Sequence, residues 1–402
     1  MFKKTDPNPQ LDIFTAPSMQ LGSRASKKYS DPNAWHNQFY SLVTTKIDEE
    51  IFKPLFPEGK KSGRPNASIR ILVAMSVLKE GFGCSDEDLF EKCEFDLLTR
   101  KALGMELLTD VTPSIDTYYL FRRRICEYQE RTGIDLMQLC FEQLAGKHVL
   151  IIKISGKCVR MDSKLIGSNI ARQSRYELIH TTLVKFLKTC TLTHLSPEQE
   201  ERAKEYLKED SSKTVYRSDS DTLQSNLARI GNFIMEMLAV FPATSPAHDL
   251  LLRLFDEQYV VMDGKAVLRD KKEVKADSLQ NPNDPDATYR AKNDQKVQGY
   301  VTNITETVEE GKPNIITSVQ VETAVFADCH FLQEAVENSE RVTDSTIEDL
   351  YADGAYQSPD NREFAKNHNA MQLKTGKMQG GCRWELIPHD EDCFFSSRRR
   401  HT

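Results

Sequence analysis

The hydrophobic pattern of this chain changes period near residue 148. Up to that point apolar residues recur at three- and four-residue spacing. The segment "HVLIIKISGKCVRMDSKLIGSN" (148–169) is instead rich in β-branched residues and reads as extended. A chain that is helical for its first third and then turns to strands fits neither an all-helical nor an all-β fold. The change predicts a helical module followed by an α/β domain. With 402 residues, the chain is long enough for each part to bury a core of its own.

The helical part is punctuated by its own start and stop signals. "ASIRILVAMSVLKEGFG" (67–83) sets Ile69, Leu72, Val73, Ser76 and Val77 on one face, with Gly81 and Gly83 as stops. In "SDEDLFEKCEFDLLTRKALG" (85–104), Ser85 is the expected N-cap and acids fill the first turn. "PSIDTYYLFRRRICEYQERTG" (113–133) reads as a third helix, capped by Ser114 and closed by Gly133. Residues 1–35, rich in Pro, Ser, Asn and Lys, read as a loosely ordered lead-in, which places the helical domain at 36–148.

Net charge alone does not set the partner. The chain carries −7 overall, but the deficit is concentrated after residue 300. The basic residues of the helical part cluster in "KKSGRPNASIR" (60–70) and "FRRRICEYQER" (121–131). Local patches decide phosphate binding, so Arg64, Arg70, Arg122, Arg123 and Arg124 are candidate DNA contacts. The plainer reading is a solvated face beside a packed Tyr/Phe stripe. No apolar run is long enough to span a bilayer, and "MFKKTDPNPQLDIF" lacks the apolar core of a signal peptide. The nine cysteines are scattered and never in C-x-x-C spacing, which points to buried or incidental thiols in a reducing cytoplasm.

Beyond the break, helical spacing returns over 175–260, where Leu223, Leu227, Ile230, Ile234 and Leu238 share a face. "DSLQNPNDPDATYRAKND" (277–294) reads as a polar, turn-rich linker. Two strands, 296–308 and 314–326, are joined by the hairpin loop "EEGKPN". A short helix over 328–339, a strand ending in "LYADGAYQSP" and a helix in "SPDNREFAKNHN" follow.

Two aspartates stand out in these strands. Asp162 follows Val159 and Met161, and Asp353 closes the run Leu350, Tyr351, Ala352. They can meet only if their strands are neighbours in one sheet. Such a pair is a hard-oxygen site suited to Mg²⁺ or Mn²⁺, at the strand ends where α/β sheets bind ligands. Like charges this close stay ionised together only with a cation between them. Lys164 and Arg172 are among the basic residues that could lead a phosphate backbone to it. The plainer reading of Asp353-Gly354 is an ordinary turn dipeptide.

Taken together, these segments resemble bacterial insertion-sequence transposases of the DDE type. The marks are "SGRPNASIRILVAMSVLKEGFGCSDEDLFEKCEFDLLTRKALG", "VRMDSKLIGSN", "NDPDATYR", "QGYVTNITET" and "LYADGAYQSP", in that order. The resemblance implies an RNase H-like mixed sheet flanked by helices over 149–380, interrupted by a helical insertion at about 175–285. An all-α N-terminal DNA-binding domain would precede it. Asp162 matches the family's first metal-binding carboxylate, on the first core strand, and Asp353 its second, on the fourth. The implied activity is Mg²⁺- or Mn²⁺-dependent strand cleavage and transfer. It would act on double-stranded DNA, at terminal inverted repeats and target DNA, by a homodimer in the bacterial cytoplasm at the nucleoid.

The C-terminal end departs from the pattern. The family's third carboxylate is a glutamate on a helix after the fifth strand. Here "AMQLKTGKMQGG" (370–381) can supply that strand, but no such helix follows it. Glu363 and Glu385 are poor substitutes, the first on a helix surface and the second in a strand-like run. Residues 381–402, ending "FFSSRRRHT", read as a truncated and non-native tail. An incomplete, inactive copy is therefore expected. The alternative is a non-catalytic DNA-binding fragment that recognises element ends without cutting.

Overall fold

The computed structural model describes Phe2, Lys4 and residues 17–56, 66–241, 245–292 and 295–375. The chain is mixed α/β and divides into two compact units. Unit 1 comprises Met1–Arg160, Glu306–Ser318 and Val336–Asp349; unit 2 comprises Met161–Thr305, Val319–Ala335 and Leu350–Thr402.

Unit 1 holds α1 (Pro17–Gln20), α2 (Ser23–Tyr29), α3 (Trp35–Leu42), α4 (Ile69–Phe82), α5 (Asp86–Phe95), α6 (Leu97–Leu103), α7 (Ile115–Thr132) and α8 (Leu136–Ile152). The expected signals operate. Ser85 and Asp88 form a reciprocal capping box on α5, and Ser114 accepts from the Thr117 amide at the start of α7. Gly83 and Gly133 close α4 and α7 in the left-handed conformation, whereas Gly81 lies inside α4. Leu72, Val73, Met75, Leu78, Leu89 and Phe121 share one core. Buried Arg100 ties it together by donating to the carbonyls of Cys93 (3.1 Å), Leu107 (2.7 Å) and Asp110 (2.9 Å).

Two expectations change here. Residues 1–35 include helices α1 and α2, and Tyr29 at the end of α2 is buried. The run "HVLII" is the last part of helix α8, not a strand. Asp135 caps that helix, and Leu136, Cys140, Ala145 and Val149 bury one helical stripe. Helical burial of Val149 overrides the extended preference of its β-branched neighbours.

In chain order, strand β1 (Cys158–Gly167) is followed by α9 (Arg175–Leu187), α10 (Pro197–Lys208), α11 (Ser211–Arg217), α12 (Ser220–Val240) and α13 (Pro246–Gln258). Then come β2 (Tyr259–Met262), β3 (Lys265–Leu268), β4 (Thr288–Lys292), β5 (Gln295–Thr307) and β6 (Ile316–Thr323). Helix α14 (Leu332–Thr343), β7 (Asp349–Ala352), α15 (Pro359–Asn367) and β8 (Gln372–Thr375) complete the described elements. The division between units falls inside β1, β5, β6, β7 and α14.

Unit 2 has two parts. The helical interval α9–α13, with the antiparallel hairpin β2–β3, packs a core that includes Ile179, Phe186, Ile230, Phe233, Leu254 and Tyr259. The other part is built on a six-stranded sheet in the order β4–β5–β1–β7–β8, with β6 also paired to β5.

The segment read as a linker, 277–294, is not one. Residues 288–292 form β4, antiparallel to β5 with Thr288 opposite Gly299 and Arg290 opposite Val297. Ahead of β4, Leu279 and Asn281 are buried, and the loop is clamped from the helical interval. Arg253 donates to the Pro285 and Asp277 carbonyls at 2.9 and 3.1 Å, and Glu257 accepts from the Leu279 amide at 2.7 Å. Asn281 reaches the Ala171 carbonyl at 3.1 Å, and Asp284 accepts from both Ser168 and Tyr300. These polar residues satisfy one another inside the fold, so low hydrophobicity here does not mean a solvated connection.

Candidate active site

Asp162 and Asp353 both lie in unit 2, on segments that the sheet makes neighbours, since β1 and β7 are adjacent strands. In β1, Val159 and Met161 are buried while Asp162 is exposed, as alternation along a strand requires. Its Oδ1 accepts from the Ser163 amide at 2.9 Å. Strand β7 buries Leu350 and Ala352 and ends there. Asp353 then caps a short 3₁₀ turn, Gly354–Tyr356, with Oδ1 accepting from the Ala355 amide at 2.8 Å. The turn reading of Asp353 is therefore correct as far as it goes, and its other oxygen is not the capping atom.

In the turn that Asp353 caps lies Tyr356, which is fully buried. Its hydroxyl donates to Asn303 Oδ1 on β5 at 2.6 Å. Burial, and then the negative charges of Asp162, Asp328 and Asp353, push the phenol above the ordinary tyrosine range, against the opposing effect of Ser163. Three carboxylates thus share the surroundings of one hydroxyl.

Behind the phenol runs a chain of polar side chains. Asn303 on β5 donates to Gln320 Oε1 at 2.9 Å, and Gln320 on β6 donates to Glu334 Oε2 at 3.0 Å. Asp328 is buried and pairs with Arg290 of β4 at 3.3 Å; the same guanidinium nitrogen reaches the Phe326 carbonyl at 3.1 Å. Asn361 fixes the turn by donating to the Tyr356 and Cys329 carbonyls, both at 2.8 Å.

Sequence reasoning did not single out Tyr356, Asn303, Gln320, Asp328 or Arg290. One signal was present. Asn303 interrupts the strand-forming run "YVTNITET", and Asn is depleted in strands unless its amide has partners.

As a donor set, Asp162 and Asp353 are hard oxygens of the kind that hold Mg²⁺, which commonly takes one or two carboxylates together with substrate phosphates. Among the described residues, no group of three or more His, Cys, Asp or Glu side chains is arranged to hold a metal. Glu363 is exposed on α15. Glu385 and the tail 381–402 lie outside the described residues.

The candidate DNA contacts are dispersed. Lys164 is exposed and two residues beyond Asp162, so it shares that face of β1. Arg172 is exposed and donates to the Lys296 carbonyl at 3.0 Å. In unit 1, Arg122 lies 3.8 Å from Asp86 and over the Tyr118 ring, and Arg123 is 3.5 Å from Glu127. Arg124 is half-buried over Phe56. Successive helical residues fan by about 100° each, so these three arginines do not form a single stripe. Arg70 is half-buried, with its Nε enclosed and without a hydrogen-bond partner. Arg64 lies outside the described residues.

Residues 28–124 match a family model described as "Transposase domain (DUF772)". Neither the comparison with curated proteins nor that with solved structures gives a match. The matched segment covers α3–α6 and the first part of α7, and includes the arginines at 64, 70 and 122–124. Among the described residues no helix is long and apolar enough to cross a membrane.

Proposed function

We propose that this chain is a DNA transposase of the DDE type, in which Asp162 and Asp353 hold Mg²⁺ or Mn²⁺ for strand cleavage and transfer at element ends. The observation that carries this reading is the convergence of the two carboxylates. They are far apart in the chain, yet Asp162 lies on β1 and Asp353 directly follows β7, the strand next to it in the sheet. The transposase-domain match over 28–124 supports the transposase part of this reading, from residues outside the carboxylate pair.

The sheet order agrees with an RNase H-like core. β1 would be its first strand, β5 and β6 the following hairpin on one side, and β7 and β8 the fourth and fifth on the other. The helical domain would hold terminal inverted-repeat DNA, and a homodimer on paired ends in the bacterial cytoplasm would be the working form.

A bound cation would activate the attacking oxygen and stabilise the leaving one in phosphodiester displacement. The chain's own contribution is to hold two carboxylates at adjoining strand ends, with Lys164 beside Asp162 to receive a phosphate.

The test is to score binding and strand cleavage separately on DNA carrying the element's terminal repeats, with Mg²⁺ or Mn²⁺. Metal-dependent cleavage that disappears in Asp162→Asn and Asp353→Asn, with binding retained, is the expected result. Cleavage that survives both substitutions overturns the site assignment. Binding without cleavage by the unaltered chain would favour a protein that recognises element ends and does not cut them.

A further inference from the structure

We propose that Glu334 is a positioning residue. From an exposed place on α14 it sets the direction of a buried hydrogen-bond chain that ends in the turn carrying Asp353. The inference rests on the metal-site reading of Asp353 and names a residue outside that site which acts on it.

The argument is one of proton counting. A side-chain amide offers a donor at one end and an acceptor at the other, and a phenol can serve as either. A chain made only of such groups could run in both directions. Here Tyr356, Asn303 and Gln320 are buried, and Glu334 is exposed. The Tyr356 hydroxyl donates to Asn303 Oδ1 at 2.6 Å, Asn303 Nδ2 to Gln320 Oε1 at 2.9 Å, and Gln320 Nε2 to Glu334 Oε2 at 3.0 Å. An ionised carboxylate has no proton to give, so Gln320 must turn its nitrogen toward Glu334. That leaves the Gln320 oxygen for Asn303, and the Asn303 oxygen for the phenol. One surface charge thus decides, three links away, that Tyr356 donates into β5.

The consequence falls on the Asp353 turn. Tyr356 is the last residue of the 3₁₀ turn that Asp353 caps, and Asn361 holds its carbonyl at 2.8 Å. With the chain reversed, the Asn303 amide would point its protons at the phenol oxygen. The Tyr356 proton would then lack its acceptor inside the fold, where an unmade hydrogen bond costs most, and the turn would loosen. Glu334 also lies in the first turn of α14, where a negative charge suits the helix dipole whatever it bonds. Substitution separates the two roles. Glutamine keeps an oxygen for Gln320 but loses the charge, whereas lysine can only donate.

The test compares the full chain with Glu334→Gln and Glu334→Lys, each also combined with Tyr356→Phe. Amide hydrogen exchange is followed without metal at Ala355, Tyr356 and Gln357, whose amides are bonded within the turn. Glu334→Lys is expected to speed exchange there about tenfold, and Glu334→Gln by less than about twofold, with the helical interval α9–α13 unchanged. Once Tyr356→Phe is in place, Glu334→Lys should add nothing. Equal acceleration by glutamine and lysine overturns the proposal, because it marks a helix-dipole role. No acceleration by lysine overturns it too, as does acceleration by lysine that persists beside Tyr356→Phe.

Mn²⁺ affinity is read in parallel by electron paramagnetic resonance. A rise of about tenfold in the dissociation constant is expected for Glu334→Lys, with Asp353→Asn abolishing binding. If the unaltered chain binds no Mn²⁺, or Asp353→Asn leaves binding intact, the metal reading fails. The exchange measurement still decides the role of Glu334.

Discussion

Single buried polar groups carry much of the specificity in both units. Arg100 is 5% exposed and its guanidinium donates to three backbone carbonyls, one in α5 and two in the connection between α6 and α7. Arg100→Met keeps much of the volume and leaves those carbonyls without a donor. It should lower the stability of the folded chain by about 3 kcal/mol, read from the urea midpoint. His180 is a different case. Burial holds its imidazole below the ordinary 6.5, although the Glu209 carboxylate pulls the other way. The native state therefore favours the neutral ring, and the unfolded chain binds the proton more readily. Its contribution to stability is present above 6.5 and is lost as pH falls through the lowered folded value. The urea midpoint should drop between pH 7.5 and pH 5, and His180→Gln should make that drop smaller. An equal drop in the variant would show that other groups set the acid sensitivity.

Between elements, the closest constraint lies where β1 meets β5. A Cβ on Gly299 would stand 2.2 Å from the Ile166 carbonyl oxygen and 2.5 Å from the Ser168 nitrogen, and the residue has φ near +157°. No side chain fits without parting the strands, since both neighbours are backbone. Gly299→Ala should cost about 3 kcal/mol and speed amide exchange along β1, measured by urea unfolding and hydrogen exchange. The helices, by contrast, announced themselves. Ser85, Ser114, Gly83 and Gly133 sit where local capping chemistry acts, and each does what its position in the sequence indicates. Strand β4 and the end of α8 were not readable in this way. In β4 the preceding Asn/Asp/Pro run masks five strand residues. In α8 a β-branched run is helical because the helix buries Val149.

For the molecule as a whole, the question is how an acidic protein would hold DNA. With a net charge of −7, attraction must come from local arginines and lysines. Arg122 and Arg123 are exposed, and their acidic neighbours stand at 3.8 and 3.5 Å, long enough for phosphate to compete. Replacing both by alanine should weaken binding to DNA of any sequence and reduce the salt dependence, in log–log form, by about 2. Fluorescence anisotropy at several salt concentrations measures this. An unchanged slope would place the phosphate contacts elsewhere, with Lys164 and Arg172 next in line.

The sequence by itself determined the caps and stops of α4, α5 and α7 and the two aspartates on strand-like segments. These follow from spacing and from side chains that act within a turn of their own position. The tertiary structure alone decided that β1 and β7 are neighbours and that the Tyr356 hydroxyl reaches Asn303 of β5. It also turned a polar linker into a clamped loop and a strand. Strand pairing and buried hydrogen bonds join residues far apart in the chain, and no local pattern encodes which distant partner a side chain will find.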